Sequence, residues 1–242
     1  MDNGSSLKSV QNFIEVGWCK MTPKPEIGLK EFNIYDAVII ALCGSFKSNG
    51  GKNYTARNKD RNDYLSGVKC DMTNIKKFQL RKYFQVFSLE NPGATCSLAY
   101  EHIVSAIKAN PNSGIHIYYT GHGCRDDGSW CFSDGTISAK ELRNYLNSRG
   151  ITKRIPFIMS DSCYSGKFCK ESVICGLSEV AHASSYLEKT SGDSSSGGLY
   201  TRWLFGEIDC PIDQSPESYR VDPDGKSQWL SLTMNPPWNP WK

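Results

Sequence analysis

Two short segments of the chain carry residue types suited to covalent chemistry on a carbonyl group. One is Thr120-Gly121-His122-Gly123, the other Asp161-Ser162-Cys163-Tyr164-Ser165-Gly166. A free thiol ionises near ~8.5 and attacks as its thiolate, so an imidazole within reach can take up the thiol proton and later return it to a leaving amine. Cys163 therefore reads as a nucleophile and His122 as its acid/base partner. The glycines beside His122 let main chain approach a substrate carbonyl closely, and the amides of Gly123 and Cys163 are candidate donors to an oxygen that gains negative charge. Taken singly, a glycine-flanked histidine is most often a turn residue and a cysteine after a strand is most often core. Their occurrence together at two strand ends is what points to catalysis.

The pair is 41 residues apart and must be joined by the fold. Four apolar runs rich in β-branched residues read as buried strands: 37–42, 85–89, 115–120 and 155–159. Helical patterns lie between them, over Met72 to Tyr83 with Asp71 as N-cap, and over Cys96 to Ala109. Ser138 and Glu141 form a capping box, and Gly150 closes the helix that follows. A fifth strand is predicted near 177–183, then a Ser/Gly stretch over 191–198 and a helix over 199–208. Alternating strands and helices predict a three-layer α/β fold with a mainly parallel sheet of about six strands. In such a sheet the loops at the carboxyl ends of neighbouring strands converge, which would bring His122 beside Cys163. The predicted organisation is an N-terminal extension over 1–33, a catalytic domain over 34–208 and a Pro/Trp-rich C-terminal extension over 209–242.

Lys and Arg total 28 against 25 for Asp and Glu, so a formal charge of +3 gives no ground for a nucleic-acid or anionic-membrane partner. No run of 18 apolar residues occurs, and the first residues lack the basic start and apolar stretch of a secretory signal. The ten cysteines sit mostly singly, several within apolar strand or helix patterns. They read as thiols in a reducing, cytoplasmic setting. A metal site built from His122, Cys124, Cys131 and Cys163 is the competing account of these side chains, and the absence of any CxxC pair weighs against it. His102, His116 and His182 read as structural.

Tyr119-Thr120-Gly121-His122-Gly123 together with Asp161-Ser162-Cys163-Tyr164-Ser165-Gly166 resembles the two catalytic motifs of the caspase-like cysteine peptidases, a similarity that spans roughly residues 35–208. The chain looks most like the metacaspase and paracaspase branch, because caspases carry Gln-Ala-Cys where Asp161-Ser162-Cys163 stands here. The resemblance implies a caspase-like fold and hydrolysis of peptide bonds after Arg or Lys through a thioester. It also implies that Asp161, two before the nucleophile, lines the pocket for the basic side chain, with Asp71, after Leu65-Ser66-Gly67, as a second acid. Thr120 would be a small pocket-wall residue, and Glu188 corresponds to a further acid after the fifth strand. Two carboxylates in a narrow cleft select a guanidinium or ammonium and repel an Asp side chain. Gly197-Gly198-Leu199-Tyr200-Thr201 resembles the Gly-x-Phe-Thr start of the family's next helix.

Protein or peptide substrates are the implied partners, and the two extensions could dock a regulatory protein. Many metacaspases bind calcium through acids near the helix that here begins at Ser138; Ala139 and Lys140 stand where paired Asp would be expected, so no cofactor is expected. If processing occurs, Lys167, Lys170 and Lys189 are the basic residues to suspect. The other reading of the whole chain is a catalytically silent scaffold with this fold. Oligomeric state stays open, since caspases dimerise through an edge strand and metacaspases generally do not.

Overall fold

The computed structural model describes residues 37–44, 65–77, 84–90, 94–185, 193–204, 207–208, 217–221 and 229–233. Its centre is a parallel sheet built from β1 (Ala37–Gly44), β2 (Phe84–Leu89), β3 (Gly114–Gly121), β6 (Ile155–Ser162) and β7 (Ser178–Ala183). Short paired strands β4 (Trp130–Cys131) and β5 (Thr136–Ile137) follow β3, and β8 (Asp193–Ser194) pairs with β9 (Gly197–Gly198). The helices are α1 (Val68–Lys76), α2 (Cys96–Ala109), α3 (Ala139–Ser148), α4 (Ser165–Ile174) and α5 (Leu199–Leu204).

Alternation along β1 shows why the sheet is covered on both faces. Val38, Ile40 and Leu42 enter one core with Ala99, Ile103 and Val104 of α2, Leu142 and Leu146 of α3, and Phe168 and Val173 of α4. Ile39, Ala41 and Cys43 enter the other with Val68, Met72 and Ile75 of α1 and Tyr200 and Trp203 of α5. Successive strand residues point to opposite faces, so a strand with no polar alternation can be stable only between two helical layers. That is the three-layer α/β arrangement expected from the sequence.

The expected strands, α2 and the helix capped by Ser138 are all present. Thr95 accepts from the Leu98 amide at 3.2 Å to begin α2, and Ser138 and Glu141 cap α3 reciprocally. The helix near 72–83 differs: it begins at Val68, and its N-cap position is Gly67 rather than Asp71. The apolar positions Val68, Met72 and Ile75 explain the earlier start, since a helix beginning at Met72 would leave Val68 out of the core. Asp71 thus lies inside α1, with its side chain buried.

The sheet, expected to have about six strands, has seven among the described residues. Its order is β11-β10-β7-β6-β3-β1-β2, in which β10 (Glu217–Val221) runs antiparallel to β7 and β11 (Trp229–Thr233) antiparallel to β10. Both strands come from the stretch read as a C-terminal extension, and Tyr219 is buried in the core shared with α4. The expected N-terminal extension over 1–33 lies outside the described residues.

His102 and His182 sit in structural settings. His102 Nε2 lies 3.1 Å from the Phe87 carbonyl, and His182 packs edge-on against Phe157 at 4.7 Å between ring centroids. Burial pushes the His182 imidazole down to about 4. The unfolded chain therefore binds a proton there near ~6.5 that the folded chain refuses, so stability is complete above that pH and falls as the pH drops toward 4. In urea titrations at about pH 7.5 and about pH 4.5, the His182→Phe variant is expected to lose less stability on acidification than the wild type; an equal loss would show that His182 does not drive the acid response.

Candidate active site

The pairing of β3 with β6 ends at Gly121 opposite Ser162. His122 and Cys163 are the next residues of these two parallel strands, so they leave the sheet side by side at its carboxyl edge. Gly44, the last residue of β1, is in register with Gly121 and accepts the His122 amide at 3.1 Å. The histidine is half-buried, as is the cysteine.

A compact loop holds the histidine. The His122 carbonyl accepts the Tyr119 hydroxyl at 2.7 Å and the Cys131 amide at 3.1 Å, and Gly123 bridges to Trp130. Trp130 anchors the loop in the core, stacked between Tyr119 and Phe168 at 4.9 and 4.1 Å, and its indole N–H donates to Ser160 Oγ at 3.0 Å. Burial first, and then the nearby thiols Cys131, Cys43 and Cys163, hold the Tyr119 phenol well above its usual range. It therefore stays protonated and remains a donor to the histidine loop.

Gly123 is where the segments bearing His122 and Cys163 touch. A Cβ there would overlap the Cys163 carbonyl oxygen and lie 3.1 Å from Ser162 Oγ. On the cysteine side, β6 turns into α4 through Cys163 and Tyr164, and Tyr164 adopts a left-handed φ of 56° that non-glycine residues take at a cost. Helix α4 was not read from the sequence, and it carries Lys167 and Lys170 in regular helix rather than in a flexible loop. Lys167 Nζ is tied to the Arg125 carbonyl at 2.9 Å.

The structure brings the expected pocket acids together. Asp71 accepts the Thr120 hydroxyl at 2.6 Å and the Gly198 amide at 2.9 Å, while Asp161 accepts the Thr201 amide at 2.9 Å and the Thr201 hydroxyl at 2.6 Å. A Cβ on Gly198 would collide with the Asp161 carboxylate, so both acids converge on one glycine. Tyr118, whose hydroxyl lies 2.6 Å from Thr201 Oγ1, registers both charges: burial, then Asp71 and Asp161, hold its phenol well above the usual range. Thr120 is thus a hydrogen-bond donor to Asp71 as well as a small residue. Glu188 and Lys189 lie outside the described residues.

Sequence reasoning did not single out Tyr118, Tyr119, Trp130, Gly198 or Thr201 for these contacts. The signals were present only as a double glycine followed by a threonine, and as aromatic residues in a glycine-rich loop. No group of three or more His, Cys, Asp or Glu side chains suited to a metal occurs among the described residues, and none of the cysteines among them is in a disulfide. Asp127 is engaged by Ser129, whose amide donates at 2.9 Å and hydroxyl at 2.6 Å, and Asp134 accepts the Cys96 amide at 2.7 Å. Among the described residues, no helix is long and apolar enough to cross a membrane.

A family model described as the peptidase C13 family matches residues 29–192. Among solved structures, the chain is similar to a protein from Geobacter sulfurreducens, with a TM-score of 0.52 and 18% identity over 80% of this chain and 97% of that one. It is also similar to caspase-1 from Spodoptera frugiperda, with a TM-score of 0.48 and 12% identity over 72% of this chain and 68% of that one. A secreted C11 cysteine protease from Bacteroides thetaiotaomicron matches with a TM-score of 0.43 and 10% identity over 78% and 66% of the two chains. No curated protein matches the sequence. At these identities the first likeness speaks to the fold alone.

The contact at Gly123 is testable apart from any activity. Gly123→Ala should lower the urea unfolding free energy by about 1–3 kcal/mol, because main chain on both sides must move to admit the methyl group. An unchanged unfolding curve would show that the two loops do not pack as described.

Proposed function

We propose that this chain, which belongs to the peptidase C13 family, is a cysteine endopeptidase that cleaves after Arg or Lys, with Cys163 as nucleophile and His122 as acid/base partner. The observation that carries this reading is the strand register Gly121 opposite Ser162, which makes the imidazole-bearing and thiol-bearing residues neighbours at one edge of the sheet. The caspase-like fold supplies the frame, and the specificity assigned here follows the metacaspase-like pattern of acids.

In this mechanism the Cys163 sulfur, its proton taken by His122, adds to the scissile carbonyl carbon. The oxygen gains a negative charge, toward which the Gly123 and Cys163 amides donate. Collapse of this intermediate breaks the C–N bond, and the imidazolium gives its proton to the departing amine. A water deprotonated by His122 then adds to the thioester, releasing the acid product and restoring the thiol. Every proton and bond in the cycle is supplied by thiol, imidazole, substrate and water, so we expect no cofactor requirement.

Asp161 and Asp71 support the choice of a basic side chain before the scissile bond. Both are buried and meet at Gly198, where a guanidinium would find two carboxylates and an Asp side chain would meet like charge. Glu188 joins this pocket only by resemblance.

Fluorogenic peptides ending in Arg, Lys or Asp test the reading directly. Wild type should hydrolyse the Arg and Lys peptides, Cys163→Ala should show no turnover, and Asp161→Asn should lower kcat/KM for the Arg peptide by about 30- to 1,000-fold. Turnover by Cys163→Ala equal to wild type would end the proposal, and preferential cleavage after Asp or a neutral residue would overturn the specificity while leaving the peptidase intact.

A further inference from the structure

Beyond the dyad and the acidic pocket, a second set of buried polar groups surrounds the nucleophile. Ser162 and Ser165 flank Cys163 and Tyr164, and Ser184 and Ser185 follow the last residue of β7; all four serines are buried to 1% exposure or less. Buried hydroxyls are costly unless bonded, so their arrangement reports what they hold in place.

Ser184 grips the residue before the nucleophile from both sides. Its hydroxyl accepts the Ser162 amide at 3.1 Å and donates to the Ser162 carbonyl at 3.2 Å, and its own amide donates to the Ser160 carbonyl at 3.0 Å. The Ser185 hydroxyl also reaches the Ser162 carbonyl, at 3.1 Å. Ser185 then serves the far side of the turn. Helix α4 has Tyr164 at its N-cap position and no side-chain cap of its own, so its first N–H groups need acceptors from elsewhere. The Ser165 amide donates to Ser185 Oγ at 3.2 Å and the Gly166 amide to the Ser185 carbonyl at 3.0 Å. The Ser185 amide returns a bond to Ser165 Oγ at 3.0 Å.

We infer that Ser184 and Ser185 are positioning residues for the nucleophile: together they clamp Ser162 on one side of Cys163 and the start of α4 on the other. The inference rests on the peptidase reading above. The clamp gives the left-handed Tyr164 a reason to persist, because a strained residue survives only where its neighbours are held. It also joins the two catalytic segments, since Ser162 Oγ lies 3.0 Å from Ser160 Oγ, which accepts the Trp130 indole of the histidine loop. Neither Ser184 nor Ser185 needs to touch substrate for this role. Misplacing a reacting atom by a fraction of the reaction distance lowers the chemical step without a matching loss of binding.

A second buried serine pair provides the control. Ser172 Oγ lies 2.9 Å from Ser178 Oγ, between α4 and the start of β7, and neither residue contacts the nucleophile turn through these hydroxyls. Ser184→Ala, Ser185→Ala and Ser172→Ala should be compared by kcat and KM on the Arg peptide, by thermal melting, and by amide hydrogen exchange across residues 162–166. The expected result is a fall in kcat of about 10- to 100-fold for Ser184→Ala and Ser185→Ala, with KM within about threefold of wild type. Exchange at Ser165 and Gly166 should be about tenfold faster in Ser185→Ala, and Ser172→Ala should melt earlier yet keep the wild-type kcat. Should Ser184→Ala not fold, Ser165→Ala removes the facing hydroxyl and is read in the same way. Wild-type kcat in the clamp variants, or a loss no greater than that of Ser172→Ala, would overturn the positioning role. A wild-type enzyme that cleaves none of the peptides would instead overturn the peptidase reading, while exchange at Ser165 and Gly166 would still report whether the clamp exists.

Discussion

The parallel hydrogen bonding of β3 to β6 is the interaction on which the rest of the molecule depends. Its register runs from His116 opposite Phe157 to Gly121 opposite Ser162, and it decides which residues meet beyond the sheet edge. A slip of one residue turns every side chain of the slipped strand to the other face, exchanging Tyr118 for Tyr119 if β3 moves or Asp161 for Ser162 if β6 moves. Tyr119 would then leave the carbonyls of His122 and Cys131, and Asp161 would leave Thr201. The apolar alternation that builds two cores therefore also fixes the chemistry at the sheet's end.

Around that edge the chain buries Thr120, Ser160, Asp161, Ser162, Ser165, Ser184, Ser185 and Thr201, and their partners fall into separate groups. The Tyr119 hydroxyl serves the histidine loop, Ser184 and Ser185 serve the turn at Cys163, and Thr120, Thr201 and Gly198 serve the two carboxylates. Each group satisfies main chain or carboxylate oxygens that would otherwise be desolvated without compensation, at a cost of about 1–3 kcal/mol each. Small residues are required where these groups crowd one another. Gly123 lies against the Cys163 carbonyl and Gly198 against the Asp161 carboxylate, at separations that leave no space for a β-carbon.

Much of this was legible in the sequence because it depends on local signals. Short apolar runs marked the five parallel strands, the reciprocal Ser138 and Glu141 pair marked the start of α3, and the paired motifs at two strand ends marked His122 and Cys163. What escaped depends on partners far along the chain. Asp71 looks like a helix cap when its neighbours alone are considered, yet its ligands are Thr120 and Gly198, the latter 127 residues away. Strands β10 and β11 were hidden by the Pro- and Trp-rich character of their surroundings, although Tyr219 and Val221 alternate with polar residues as a half-buried strand would. Ser184 and Ser185 carry no periodic or compositional mark, and only the return of β7 beside β6 gives them something to hold.

Under the proposed function, the acids at Gly198 couple recognition to architecture. Asp71 and Asp161 are anchors for the segment that runs from β9 into α5, because they accept its Gly198 amide and the amide and hydroxyl of Thr201. The same carboxylates would receive a substrate cation, and a carboxylate has about four acceptor positions to divide between such donors. The hydrogen bonds from Gly198 and Thr201 orient the two acids before any cation arrives, which lowers the ordering cost of binding. They also withdraw part of each charge's capacity, which favours a planar, multidentate guanidinium that can use the remaining directions over a donor that must displace the chain's own. Under the proposed specificity for basic side chains, the preference would lean toward Arg, for a reason that lies in the folding of residues 193–201 as much as in the acids themselves.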